Sequence, residues 1–413
     1  MSSPATTGNL YAGLAVPERT RLFHIGIPKT GTTFIQRAAT ACRDRLAENG
    51  VFYPPAAGTA HNHRDPIHAA LGRGFSGLPA PRPEVWDAFR GVIEADTENR
   101  VLFGYESAAG ASEEQVRFFA DQLGPSLHAV VTLRPYGVLL PSVWQESAKL
   151  RSGRSFEDFL RVTIDQLPDR GLSQSFFDRN DQGLVVRRWA GVLGAERVHV
   201  VIADKANPDH LAHAFEGLLD LPRDLLVGRV DASSHANRSL TLDEAELLRR
   251  VAQELRKDLE PAEYIKLMRG GAVVGMARSQ RDRSADRRLA LPDWAAARAT
   301  ERGRRFADQI EQSGVRVIGD LDLLRAEIAG VDPSELEMGP LPLDLAVETV
   351  ANVARRAAEV WRAEEARTKR AMARTVSKTR GRTLARELAR RIRRRVAGRP
   401  TQRPSQRPTR RAS

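Results

Sequence analysis

The stretch HIGIPKTGTTFIQ, residues 24–36, decides how this chain is read. A short strand-like run, RLFHIG, leads into it, and apolar residues at helical spacing follow it, so it joins a strand to a helix. Gly26, Gly31 and Thr33 keep the two-glycine spacing and final hydroxyl of the nucleotide-binding pattern G-x-x-x-x-G-K-[ST]. Successive backbone N–H groups and the start of the helix make such a loop an anion cradle. The usual lysine position, however, holds Thr32, and the lysine, Lys29, lies inside the loop. There it meets a phosphate next to a nucleoside and its bridging oxygen, not a β/γ pair. A ligand with one phosphate and a transferable group beyond it suits that placement. A plain turn whose glycines serve geometry, and a P-loop kinase or NTPase, stay open at this point.

Outward from the loop, short apolar runs alternate with amphipathic ones. VFYPP, RVLFGYES, HAVVTLRP and RVHVVIAD read as strands, and VRVIGDL as a short addition. EVWDAFRGVIEAD, EEQVRFFADQL, YGVLLPSVWQESAKLRSG and LVVRRWAGVLG read as helices between them, and TTFIQRAATACRDRLAENG as one helix ended by Gly50. Ser112 with Gln115 and Thr241 with Glu244 have capping-box spacing. Residues 56–83, rich in Gly, Pro and His, read as a loop region near a ligand site. This alternation predicts an α/β fold with a parallel sheet covered on both faces, a three-layer P-loop-type fold. Ligands of such sheets sit at the carboxyl ends of the strands, where Gly26, Glu106 and Arg134 all fall. The expected organisation is a loose lead over 1–20, a core over 21–235, a helical part of the same domain over 236–366, and a basic, largely disordered tail over 367–413.

With PKTGTT and RPYGVLLPSVWQE on the page, the sequence resembles the sulfotransferase family, which uses 3′-phosphoadenosine-5′-phosphosulfate (PAPS) as donor. The resemblance implies that Pro28, Lys29, Thr30, Gly31, Thr32 and Thr33 form the 5′-phosphosulfate loop. It further implies that Arg134, at a strand end, and Ser142, eight residues on, hold the donor's 3′-phosphate. An arginine fork and a hydroxyl donor both suit a phosphomonoester. VVRRWAGVLGAERVHVVIAD and NRSLTLDEAELLRR resemble later segments of bacterial members, so the likeness spans residues 21 to about 330 of the sequence. It implies sulfuryl transfer to a hydroxyl or amine of a carbohydrate, lipid or small molecule, releasing 3′-phosphoadenosine-5′-phosphate, with no metal required. Lys29 would neutralise charge on the leaving oxygen. Glu106, after the strand preceding the 3′-phosphate strand, occupies the place of the family's base, where histidine is the commoner residue. Asn237 and Arg238 are placed to close over the donor.

His61 and His63 in HNHRD are the other candidates for the base or for acceptor binding. Their i,i+2 spacing has no evident third partner for a metal. Glu146, one turn beyond Ser142, is a candidate for the acceptor side. A P-loop kinase or NTPase and a nonenzymatic nucleotide-binding protein are the competing functional classes.

The net charge of +12 belongs to one end. Residues 367–413 hold eighteen Lys/Arg against one acid, Glu387, a net of +17. The other 366 residues hold 46 Lys/Arg against 51 acids, a net of −5. Overall basicity therefore gives no reason to expect sequence-specific nucleic-acid binding by the core. Within TLARELARRIRRRVAG, Leu384, Leu388, Ile392 and Val396 recur every four residues on a basic helix, a pattern suited to an anionic membrane surface or a polyanion. RPTQRPSQRPTRRAS reads as disordered. The lone cysteine, Cys42, excludes an internal disulfide and a cysteine-cluster metal site. With no signal-like start and no run of about 18 apolar residues, the expected location is the cytoplasm, peripheral to the inner membrane face where the tail engages it.

Overall fold

The computed structural model describes residues 11–55, 62–75, 78–165, 174–229, 238–284 and 286–397. The chain divides into two units, Met1–Val353 and Ala354–Ser413. The first is built on a six-stranded sheet of β1 (Arg21–His24), β2 (Val51–Phe52), β3 (Arg100–Phe103), β4 (Leu127–Leu133), β5 (Val198–Ile202) and β6 (Arg316–Ile318). All neighbouring strands are parallel, in the order β2-β3-β1-β4-β5-β6. The expected α/β fold is what the chain forms. β1 lies between β3 and β4, so the chain switches direction across the sheet there. Crevices that accept ligands open at such a point, outside the carboxyl ends of the strands.

Alternation along each strand feeds two cores. Phe23, Val101, Phe103, Ala129 and Val131 point to one face; Leu22, Leu102 and Val130 point to the other. On the first face Phe23 stacks on Phe103 at 4.7 Å and meets Phe119 and Trp189 edge-on, the offset arrangements that aromatic rings prefer.

The connections are α1 (Thr32–Ala41), α2 (Arg43–Glu48), α3 (Arg64–Leu71), α4 (Glu84–Ala95), α5 (Glu113–Leu123), α6 (Tyr136–Lys149), α7 (Phe156–Ile164), α8 (Gln174–Asn180), α9 (Gln182–Leu193) and α10 (His210–Leu219). Then follow α11 (Leu242–Leu255), α12 (Pro261–Tyr264), α13 (Val274–Arg278), α14 (Asp293–Gln312), α15 (Asp322–Arg325) and α16 (Leu343–Ala397). A π-helical stretch, Ile265–Val273, joins α12 to α13 without a break. Both capping boxes form, at Ser112/Gln115 and Thr241/Glu244.

Two expectations change. The helix after the loop splits at Cys42, whose φ of −106° and ψ of 15° leave the helical region while its thiol donates to the Leu225 carbonyl. The span 56–83 contains α3: Ile67 and Leu71 bury one face, Pro66 sits in the first turn where its missing N–H costs nothing, and Gly72 closes the end. α16 runs past the charge boundary at Arg367 to Ala397, and the low-complexity segment 398–413 lies outside the described residues.

Four buried histidines carry a pH consequence. Burial lowers His24 and His199 to about 3, and His63 and His128 to about 4. His128 and His199 meet across β4 and β5, Nδ1 to Nε2, at 3.1 Å. A folded-state pKa below the unfolded value of about 6.5 means that the unfolded chain binds the extra protons. Stability is therefore full above about pH 6.5 and falls as pH drops toward the folded values, by about 1.4 kcal/mol per pH unit per group. Urea midpoints taken at pH 7.5 and pH 5 are expected to show a large fall; equal midpoints would contradict this.

Candidate active site

The loop after β1 is tied down before it turns. The amides of Ile25 and Ile27 donate to the carbonyls of Val130 and Thr132, continuing the β1–β4 pairing. Beneath it lies a chain of side-chain hydrogen bonds whose direction can be deduced. The Thr30 hydroxyl donates to the Ile27 carbonyl at 2.6 Å, so it accepts from the Thr132 hydroxyl at 2.7 Å. Thr132 then accepts from His24 Nε2 at 3.2 Å, which fixes the His24 tautomer. The Thr30 hydroxyl thus holds the loop's shape from below, and only its amide remains for a ligand. Thr132→Val leaves the His24 N–H buried without an acceptor. It is expected to cost about 1–3 kcal/mol of stability and to loosen the loop as an anion cradle; denaturant unfolding and titration with 3′-phosphoadenosine-5′-phosphate check both.

Gly26 is required by close approach: a Cβ there would lie 2.0 Å from Thr132 Oγ1. Gly31 caps α1 at φ 99°, a left-handed conformation open to glycine at little cost. Lys29 also has a positive φ, 71°, which costs a non-glycine residue on the order of 1–2 kcal/mol. The strain is held by Arg134, whose Nη1 donates to the Lys29 carbonyl at 2.6 Å. Arg134 Nη2 donates to the Val138 carbonyl at 2.6 Å and to Ser142 Oγ at 3.2 Å. Three of its five N–H donors are used this way, leaving Nε–H and one Nη1–H. Burial lowers the Arg134 pKa to about 10, so it stays charged at neutral pH. The loop and the segment from Arg134 to Ser142 are therefore one connected structure.

α1 opens with Thr32 and Thr33 and has no acid in its first turn, which favours an anion at its positive end. The Thr32 hydroxyl is buried with no partner. One turn on, Gln36 is also buried, and its side chain faces Glu106, whose pKa it pulls down.

Glu106 begins a short 3-10 turn, Glu106–Gly110, just after β3. Its side chain is half-buried, and its Oε2 is buried without a hydrogen bond. Burial raises its pKa, against the pull of Gln36 and Arg179; Glu146 adds to the rise. Glu146 behaves oppositely. Burial pushes its pKa up, but Lys29, Lys149 and Arg269 outweigh burial and hold it below the usual carboxylate range. Its Oε2 lies 3.5 Å from Lys29 Nζ and 3.6 Å from Lys149 Nζ, and its Oε1 3.2 Å from Arg269 Nη2. Lys149 shares the α6 face of Ser142 and Glu146, and Arg269 comes from the π-helical stretch, a distortion frequent at functional sites. Lys29, Lys149 and Arg269 surround Glu146, Arg179 acts on Glu106, and Arg134 is bonded to the loop itself. The excess positive charge suits a polyanionic ligand.

Other expected site residues are placed elsewhere. His63 is fully buried between backbone groups: Nδ1 accepts from the Gly104 amide at 3.1 Å, so Nε2 carries the proton and donates to the Pro54 carbonyl at 3.0 Å. With both nitrogens engaged it has no lone pair for an acceptor, and its role as base is withdrawn. Arg238 gives its guanidinium to Glu244 through two bonds of 2.7 and 2.6 Å, and to the Ser239 and Met276 carbonyls; it fastens the start of α11 instead of closing over a donor. Asn237 and His61 lie outside the described residues. Sequence reading missed Lys149, Gln36, Arg179 and Arg269. Lys149 had a signal, since Ser142, Glu146 and Lys149 follow the i, i+4, i+7 spacing of one helix face. Gln36 had the same kind of signal, one turn after Thr32 on α1, whereas Arg179 and Arg269 reach the site only through tertiary packing.

The chain matches no protein-family model and no curated protein. Among solved structures it is similar to the crystal structure of a sulfotransferase from Alicyclobacillus acidocaldarius. The identity is 15% and the TM-score 0.38, over 75% of this chain and 100% of that chain. A likeness of that score says nothing further about this chain. Among the described residues, no helix is long and apolar enough to cross a membrane.

Proposed function

We propose that this chain is a PAPS-dependent sulfotransferase, acting on a hydroxyl or amine of a carbohydrate, lipid or small molecule. One observation supports the reading: Arg134 donates to the Lys29 carbonyl at 2.6 Å and to Ser142 Oγ at 3.2 Å, which ties the loop to the strand-end arginine. The buried, unpartnered hydroxyl of Thr32 and the excess of cations fit a donor carrying phosphate at both ends.

PAPS bound there supplies an activated sulfuryl group. The amides of residues 29–33, the Thr32 and Thr33 hydroxyls and Lys29 hold its 5′ end; Arg134 takes its 3′-phosphate through the free Nε–H and Nη1–H, and Ser142, whose hydroxyl otherwise donates to the Val138 carbonyl at 3.3 Å, turns from that carbonyl to the phosphate. In the transfer, the acceptor's oxygen or nitrogen forms a bond to sulfur, the sulfur–oxygen bond to the nucleotide phosphate breaks, and the acceptor's proton passes to Glu106. Lys29 steadies the charge gathering on the leaving oxygen. Positioning and electrostatics dominate such a reaction, as they do in phosphoryl transfer. Glu106 suits proton transfer because burial lifts its pKa toward the working range. Its ionised form is the active one, so kcat/KM is expected to rise with pH through the raised Glu106 pKa; a profile flat down to pH 4.5 would contradict this.

A kinase or NTPase reading rests on the same loop. The two part over what is transferred. A cell extract given PAPS labelled in the sulfuryl group is expected to yield labelled acceptor without added Mg²⁺. Strict Mg²⁺ dependence with transfer from ATP would favour the kinase, and donor binding without labelling of any acceptor would favour a binding protein.

A further inference from the structure

The far end of α16 is independent of the reading above. Residues 367–397 are helical and hold thirteen Lys/Arg against one acid. At about 100° per residue, positions 384, 385, 388, 389, 392 and 396 fall within one arc of about 140°, and they carry Leu, Ala, Leu, Ala, Ile and Val. Arginines 382, 386, 390, 391, 393 and 394 occupy the remaining arc, and Arg395 alone falls inside the apolar one. Leu388 is 62% exposed.

We infer that the stretch from Gly381 to Ala397 lies along an anionic lipid surface, with its apolar arc at the acyl boundary and its arginines among the headgroups. Charge decides among the occupants of that face. A second copy of the helix would bring its own arginines against these, and like charges oppose pairing at short range. A nucleic acid would satisfy the arginines yet has no use for an ordered apolar arc, and the segment carries no aromatic residue on which bases stack. A membrane containing acidic lipids satisfies both faces at once. About 17 residues of helix give about 26 Å of contact in the membrane plane.

The test is co-sedimentation of the full chain with vesicles of phosphatidylcholine, alone or mixed with phosphatidylglycerol, and with RNA as a competitor. The parent chain is expected to sediment only with the acidic vesicles. Leu388→Gln with Ile392→Gln leaves the charge and the helix propensity in place, and is expected to weaken binding at least ten-fold through lost apolar contact. Arg390→Gln with Arg394→Gln is expected to weaken it about five-fold per arginine removed. No sedimentation with acidic vesicles would overturn the inference. So would vesicle binding unchanged by the Leu388/Ile392 substitutions. RNA that binds parent and variant equally and strips the parent from the vesicles would assign the segment to nucleic acid instead. Unchanged circular dichroism and thermal unfolding of the variants verify that the core is intact.

Discussion

Glu106→Gln is expected to lower label transfer from PAPS by about 10²–10⁴-fold, the usual contribution of a positioned base, while binding of 3′-phosphoadenosine-5′-phosphate stays as in the parent. The substitution keeps size and shape and removes only the ionisable carboxyl. It also tests whether Glu106 is structural. The Glu106 Oε2 is buried without a hydrogen bond, and burial raises its pKa. A carboxyl with a raised folded-state pKa contributes stability at low pH that is lost as pH rises through that value, so at neutral pH its ionised form is a liability. The glutamine variant is therefore expected to unfold at a higher temperature than the parent, by about 0.5–2 kcal/mol of added stability. A variant that is destabilised and retains turnover would make Glu106 a structural residue and reassign the base.

Lys29→Gly separates the same two roles at the loop. Lys29 holds φ 71°, which glycine adopts freely, so removing the side chain relieves backbone strain instead of adding it. The carbonyl that accepts from Arg134 remains. Stability is expected to be unchanged or slightly higher. Turnover is expected to fall about 10²–10³-fold, the loss seen when one donor to developing negative charge is removed. Glu146 loses one of its three cations in this variant and keeps Lys149 and Arg269. Single-turnover measurement at saturating donor checks the chemical step apart from binding. Near-parental turnover would remove Lys29 from the reaction.

The loop, the strands and their carboxyl-end residues were legible because each depends on local pattern: glycine spacing, apolar alternation and capping pairs. That β3, β1 and β4 are neighbours, which brings Glu106, the loop and Arg134 to one edge of the sheet, is a property of strand order that no local pattern carries. His63 was misread for a related reason. A histidine in a Gly- and Pro-rich stretch looks solvated, but it packs on the rings of Tyr53 and Phe89, and backbone groups at Pro54 and Gly104 take both ring nitrogens. Arg238 was read as free for a ligand, when the capping residue Glu244 already claims it. Arg269 and Arg179 reach the site from distant helices, so neither stood out as a charge among many. Glu146 was visible as one turn beyond Ser142, but its three cations were not.

The central claim is that this loop binds an adenosine 3′,5′-bisphosphate and not a nucleoside triphosphate. Isothermal titration of the protein with 3′-phosphoadenosine-5′-phosphate and, separately, with ATP, each with and without Mg²⁺, tests it most directly. The account predicts saturable binding of the bisphosphate, independent of Mg²⁺ and lost in Arg134→Ala, with much weaker binding of ATP. Tight, Mg²⁺-dependent binding of ATP with none of the bisphosphate would contradict it.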